Sequence, residues 1–160
     1  MTQSQPQPPT PPRREPPTGM VKFVNPVLVF LLKRNIGPLG KQLMVIRHTG
    51  RKTGKPYEIP IGYVRDGADI FGFTLGGVSQ WYKNTAHNPE VTITIQGKPI
   101  RARVERRDSP AEVAHILDVY KRLQPANYER FFGVSLALPP EQAAVSPDLR
   151  AKYVQFIPLS

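Results

Sequence analysis

Between Gln42 and Arg107, short apolar runs rich in β-branched residues are cut by glycine-containing turns, and this punctuation confines the chain to β-hairpins. Gln42 to Thr49 carries Leu43, Met44, Val45 and Ile46, and Ile59 to Val64 follows a turn bounded by Gly50 and Gly54. Asp66-Gly67 leads into Asp69 to Leu75, which holds Ile70, Phe71 and Phe73. Val91 to Ile95 turns through Gln96-Gly97-Lys98 into Ile100 to Arg107. There Ile100, Ala102 and Val104 alternate with Arg101, Arg103 and Glu105, the period of a half-exposed strand with one basic face. Tyr153 to Ile157 reads as a last strand.

Helical signals flank these runs. Asn25 as N-cap, Pro26 in the first turn and Lys33-Arg34 at the end predict a helix near 25–34. Asp108-Ser109-Pro110 predicts a second helix through Arg122, with Val113, Ile116, Leu117 and Tyr120 on one face. A short helical stretch is expected to end at Asn88-Pro89, and another to lie within Gln124 to Gly133. Antiparallel hairpins with helices outside predict an α+β, mostly β domain, a small closed or half-open barrel of about six strands.

At 160 residues the chain fits one domain. Residues 1–17 hold seven prolines among Gln, Ser and Thr, so they read as a disordered tail ahead of a single domain at 18–160. The absence of cysteine excludes disulfides, thiolate metal sites and a cysteine nucleophile, and agrees with a cytoplasmic protein. The three histidines lack metal-ligand spacing, so no metal is expected. With 22 Lys+Arg against 12 Asp+Glu, the candidate partners are nucleic acid, an anionic membrane surface or an acidic small molecule. Arg101, Arg103, Arg106, Arg107, Lys121 and Arg122 lack interleaved aromatics, so solvated surface is preferred to nucleic-acid binding. The apolar helix near 25–34 is too short to span a bilayer. It could lie on a membrane as a peripheral contact, or pack on the barrel or a partner subunit.

Two stretches carry chemistry. Gly50-Arg51-Lys52-Thr53-Gly54-Lys55 sets three cations and a hydroxyl on one turn between strands, an anion site or an ordinary basic hairpin. Gly76-Gly77 leads into Gln80, Trp81, Tyr82 and Asn84 at a helix start, where free N–H groups favour an anion. Core packing is the alternative for Trp81 and Tyr82. His48 stands at a strand end beside the cationic turn, with a polar loop residue as its plain reading.

In order, Thr-Gly-Arg-Lys-Thr-Gly-Lys-Pro, Arg-Asp-Gly, Gly-Gly, Trp-Tyr-Lys-Asn and Asn-Pro-Glu-Val closely resemble the deazaflavin-dependent nitroreductase family, from about Leu43 to Val104. The resemblance implies a split β-barrel like that of FMN-binding oxidoreductases. It implies the 8-hydroxy-5-deazaflavin coenzyme F420, with FMN as the alternative, and hydride transfer to a quinone, nitro compound or other small electron acceptor. It would place Arg51, Lys52, Thr53 and Lys55 at the phosphate and acidic tail, and Ile59, Pro60 and Ile61 along the coenzyme. Thr74 would lie near the ring, with Gln80, Trp81, Tyr82 and Asn84 closing the site. Thr74, Tyr63 and Tyr128 would position the substrate. Split barrels of this kind are often homodimers. Tyr57, Gly62 and Leu75 stand where nitro-reducing members carry arginine, tyrosine and lysine. A non-catalytic flavin, deazaflavin or haem carrier or sensor is the other reading.

Overall fold

Alternating burial along each hairpin strand rolls the sheet around one apolar interior. The computed structural model describes residues 18–160, with side chains from Asn25 onward; the tail expected at residues 1–17 lies outside the described residues. Six strands form a closed barrel: β1 (Leu43–Thr49), β2 (Pro56–Asp66), β3 (Asp69–Leu75), β4 (Glu90–Ile95), β5 (Lys98–Arg107) and β6 (Ala151–Pro158). Every neighbouring pair is antiparallel, in the order β1-β2-β3-β6-β5-β4. Pairing of Val45 with Thr94 and Ile46 with Ile93 closes β1 onto β4. The last strand fills the gap between β3 and β5, setting Phe156 opposite both Ile70 and Val104. This is the closed form of the barrel that the hairpins predict, and the split barrel that the family resemblance implies.

Met44, Ile46, Ile70, Ile93, Ala102, Val154 and Phe156 are sealed inside the barrel. Burying a side chain the size of Phe156 contributes about 2–3 kcal/mol. Arg101 and Arg103 of β5 stay outside, as the alternation requires. A second core lies outside the barrel wall, where α3 (Pro110–Leu123) and α4 (Tyr128–Phe132) cover Val64, Phe71 and Tyr153. Ser109 caps α3: its hydroxyl accepts from Glu112 N–H at 3.3 Å, and the Glu112 carboxylate accepts from Ser109 N–H at 3.2 Å. A short α5 (Pro140–Ala143) packs on α3.

The first helix differs from expectation. α1 runs Thr18–Lys33, so Asn25 is not its N-cap and Pro26 lies inside it. Proline lacks the N–H that would bond one turn back, a loss of helix stability that packing of Val29 and Leu32 on Val45 offsets. Val27 and Phe30 remain exposed on the outer face. Among the described residues no helix is long and apolar enough to cross a membrane.

Candidate functional site

At one end of the barrel the β1–β2 turn faces α2 (Gln80–His87) across a cavity of about 490 Å³. The turn folds on itself through Gly50 N–H to Lys55 O at 2.8 Å and Gly54 N–H to Gly50 O at 2.9 Å. Gly54 takes φ 67°, in the left-handed region that favours glycine. At Gly50 the limit is space, since a Cβ would lie 2.7 Å from the Tyr57 ring. The cations of the turn therefore sit on a tightly fixed backbone.

Arg51 is built into the wall. Its backbone N–H and Nη1 both donate to Asn84 Oδ1, at 3.2 and 2.7 Å, and Nη1 also reaches Gln80 Oε1 at 3.0 Å. Asn84 donates through Nδ2 to His48 Nδ1 at 3.1 Å. His48 is buried, and desolvation holds its pKa below the ordinary 6.5. Tyr57 stacks over the imidazole, centroids 5.8 Å apart, and its hydroxyl bonds Thr53 Oγ1 at 2.9 Å. Lys52 and Lys55 form no ion pair among the described residues. Lys52 lines the cavity, whereas Lys55 is not among its lining residues.

On the facing side Ser79 precedes α2 without capping it, because its hydroxyl is engaged with Thr74 Oγ1. The first turn of α2, whose residues Gln80 and Trp81 line the cavity, therefore has no side-chain cap for its N–H groups. Ile59 and an edge of Trp81 supply apolar surface. Most of the indole is core, stacked on Phe156 with centroids 6.4 Å apart. Two cationic side chains, Arg51 and Lys52, together with the apolar surface of Ile59 and Trp81 suit a ligand with an anionic group and a flat body.

Of the residues expected at a site, the structure gathers Arg51, Lys52, Thr53, Ile59, Gln80, Trp81 and Asn84 around this cavity. Others fall elsewhere. Tyr82 points into the barrel core with Arg106 over its ring at 4.1 Å, so core packing is its role. Ile61 faces the barrel interior, and the half-buried Pro60 pairs with Val45. Thr74 lies behind Ser79, which takes its place at the wall.

The two tyrosines expected to position substrate, Tyr63 and Tyr128, do not line the cavity. Tyr63 donates its hydroxyl to Gly40 O at 2.8 Å inside the protein. Tyr128 is sealed in the outer core against Phe132, with no partner for its hydroxyl. Gly76 and Gly77 take φ 68° and 66° to turn the chain into α2, and they do not line the cavity. No sequence motif marks Ser79, and His48 is a buried strand residue and not a polar loop residue, since period 2 along β1 puts it on the face of Met44 and Ile46. Among the described residues there is no group of three or more metal-ligating side chains.

A closed antiparallel six-strand barrel with a cationic turn and a helix start at one mouth defines a split-barrel protein with a cavity lined by Arg51 and Lys52. The family profile of the F420H(2)-dependent quinone reductases matches residues 29–136, so the chain belongs to that family of oxidoreductases. A curated Mycobacterium tuberculosis protein, named as a candidate F420H(2)-dependent quinone reductase, is 32% identical over 76 residues. That match covers 44% of this chain and 64% of the relative's length. Two solved structures share the fold. A Listeria innocua protein named as a candidate pyridoxamine 5′-phosphate oxidase is 12% identical with a TM-score of 0.51, covering 86% of this chain and 94% of that one. An F420-H2 dependent reductase is 18% identical with a TM-score of 0.50, covering 71% and 94%.

Proposed function

We propose that this protein binds the reduced deazaflavin coenzyme F420 in the cavity between the β1–β2 turn and α2 and uses it to reduce a quinone. Family membership supports the cofactor class. The observation that carries the reading for this chain is the convergence of Lys52, the turn backbone and the start of α2 on one cavity with an apolar wall. When bound, the coenzyme supplies the hydride, and a quinone takes it together with a proton from solvent to give the quinol.

The chain's own residues bind, orient and exclude water. Lys52 is the free cation for the phosphate, assisted by turn N–H groups and by the first turn of α2. Arg51 braces the turn against α2, which keeps these donors in register and spares them reorganisation when an anion arrives. Ile59, Trp81 and the Tyr57 ring present flat apolar surface to the ring system and displace water from it. Ser79, in place of Thr74, offers a hydroxyl at the α2 side of the cavity.

Spectral titration with F420 and with FMN, followed by reoxidation of bound F420H2 by a quinone panel, tests the reading. Binding of F420 with quinone-dependent reoxidation is expected. Tight binding without turnover by any quinone would favour a carrier, and preference for FMN would replace the cofactor.

A further inference from the structure

His48 stands in the cavity wall at the end of β1, 4% exposed, and Asn84 determines which of its nitrogens carries the proton. Because Arg51 donates twice to Asn84 Oδ1, the other branch of that amide is the NH2 group, which can only donate. That group lies 3.1 Å from His48 Nδ1, so Nδ1 accepts and the hydrogen of the neutral ring resides on Nε2. A doubly protonated ring would set Nδ1–H against the amide N–H. Turning the amide over would set its NH2 against two Arg51 donors. Burial acts in the same direction, since it disfavours the charged imidazole.

Nε2 makes no hydrogen bond among the described residues. It is also not a sealed orphan; among the described residues the buried side-chain atoms without partners are the hydroxyls of Tyr128 and Tyr153. Its N–H is therefore open to the cavity that the ring lines. The Tyr57 ring, stacked at 28°, holds the imidazole in this orientation.

We propose that His48 is a fixed neutral donor whose Nε2–H hydrogen-bonds an acceptor oxygen, phosphate or carbonyl, of the ligand bound in this cavity. The contact discriminates against ligands without an oxygen at that place, because they would strip water from the N–H and return nothing. This assignment rests on the coenzyme reading for the identity of the ligand, but the tautomer belongs to the free protein.

The test uses the full chain labelled with 15N at histidine. Long-range 1H–15N spectra at neutral pH identify the His48 resonances by their loss in His48→Gln. The free protein is expected to show the Nε2–H tautomer, and saturation with F420 is expected to move the Nε2 resonance without changing the tautomer. In spectral titration His48→Phe, which keeps a ring against Tyr57 and removes both nitrogens, weakens F420 binding by about five- to tenfold. A free ring protonated at Nδ1 would overturn the proposal. So would an Nε2 resonance unmoved at saturation, which would leave the coenzyme reading intact. Failure of the wild-type protein to bind F420 would overturn the coenzyme reading along with it.

Discussion

Asn84 holds Arg51 at two points, accepting from its backbone N–H at 3.2 Å and from Nη1 at 2.7 Å through one oxygen. The β1–β2 turn is thereby tied to a helix 33 positions further along the chain. A guanidinium used this way is a brace, which leaves Lys52 as the residue to which the proposed function assigns the anion.

Asn84→Ala removes that brace and leaves the Arg51 donors and His48 Nδ1 without their partner. The expected loss is about 1–3 kcal/mol, which lowers Tm by about 2–4 °C per kcal/mol in a chain of this size. Coenzyme affinity should fall as the turn loosens. Asn84→Asp is the informative companion, because it still accepts from Arg51 but sets a carboxylate oxygen against His48 Nδ1. The imidazole should then take up its second proton more readily, with a pKa above the wild-type value in an NMR titration. An unaltered Tm in Asn84→Ala would count against the brace.

Lys52→Ala tests the anion site without disturbing the fold. The side chain is exposed and makes no ion pair among the described residues, so Tm should stay within the range of about 0.5 kcal/mol usual for surface substitutions. Loss of a charge-assisted contact to phosphate should weaken F420 binding about tenfold or more, and binding should become less sensitive to salt. Equal affinity and equal salt dependence in the variant would move the phosphate elsewhere.

How far the site could be read in advance follows from which forces are local. Turn glycines, the Asp108-Ser109-Pro110 helix start and the alternation of Ala102 and Val104 with arginines are short-range signals, and each appears in the structure where the sequence puts it. His48 also left a trace, two residues beyond Ile46 on the same strand face, and Asn84 lies one helical turn from Gln80. Tyr63 and Tyr128 left none. Their destinations depend on the Gly40 carbonyl and on how α3 and α4 cover the barrel, contacts made across long separations. The span of α1 was hidden for a related reason, since a proline that argues for a helix start is held inside the helix by barrel packing.

Acidification should expose the buried imidazole thermodynamically. His48 is held below its ordinary pKa of 6.5 in the folded protein, so as pH falls the unfolded chain takes the proton first. Its contribution to stability is complete above pH 6.5 and is lost as pH falls from there through the folded-state pKa, with no further loss below it. Tm measured from pH 8 to pH 5 should therefore decline in the wild-type protein. His48→Gln, which can still accept from Asn84, should decline less, with His87 and His115 common to both. Parallel curves would mean that His48 is protonated equally easily in both states.

The buried tyrosines separate structure from chemistry. Among the described residues Tyr128 and Tyr153 each bury a hydroxyl with no partner, and burial raises the pKa of both above the ordinary 10. Removing an unsatisfied hydroxyl spares its desolvation cost, so Tyr128→Phe and Tyr153→Phe should be neutral or stabilising by up to about 1 kcal/mol. Tyr63→Phe should behave oppositely, because its hydroxyl satisfies the Gly40 carbonyl at 2.8 Å and its loss costs about 1 kcal/mol or more. None of the three side chains lines the cavity, so F420 affinity and quinone-dependent reoxidation should match the wild type in every variant that folds. A fall in turnover for Tyr128→Phe at unchanged stability would put the acceptor against α4 and not in the cavity beside His48.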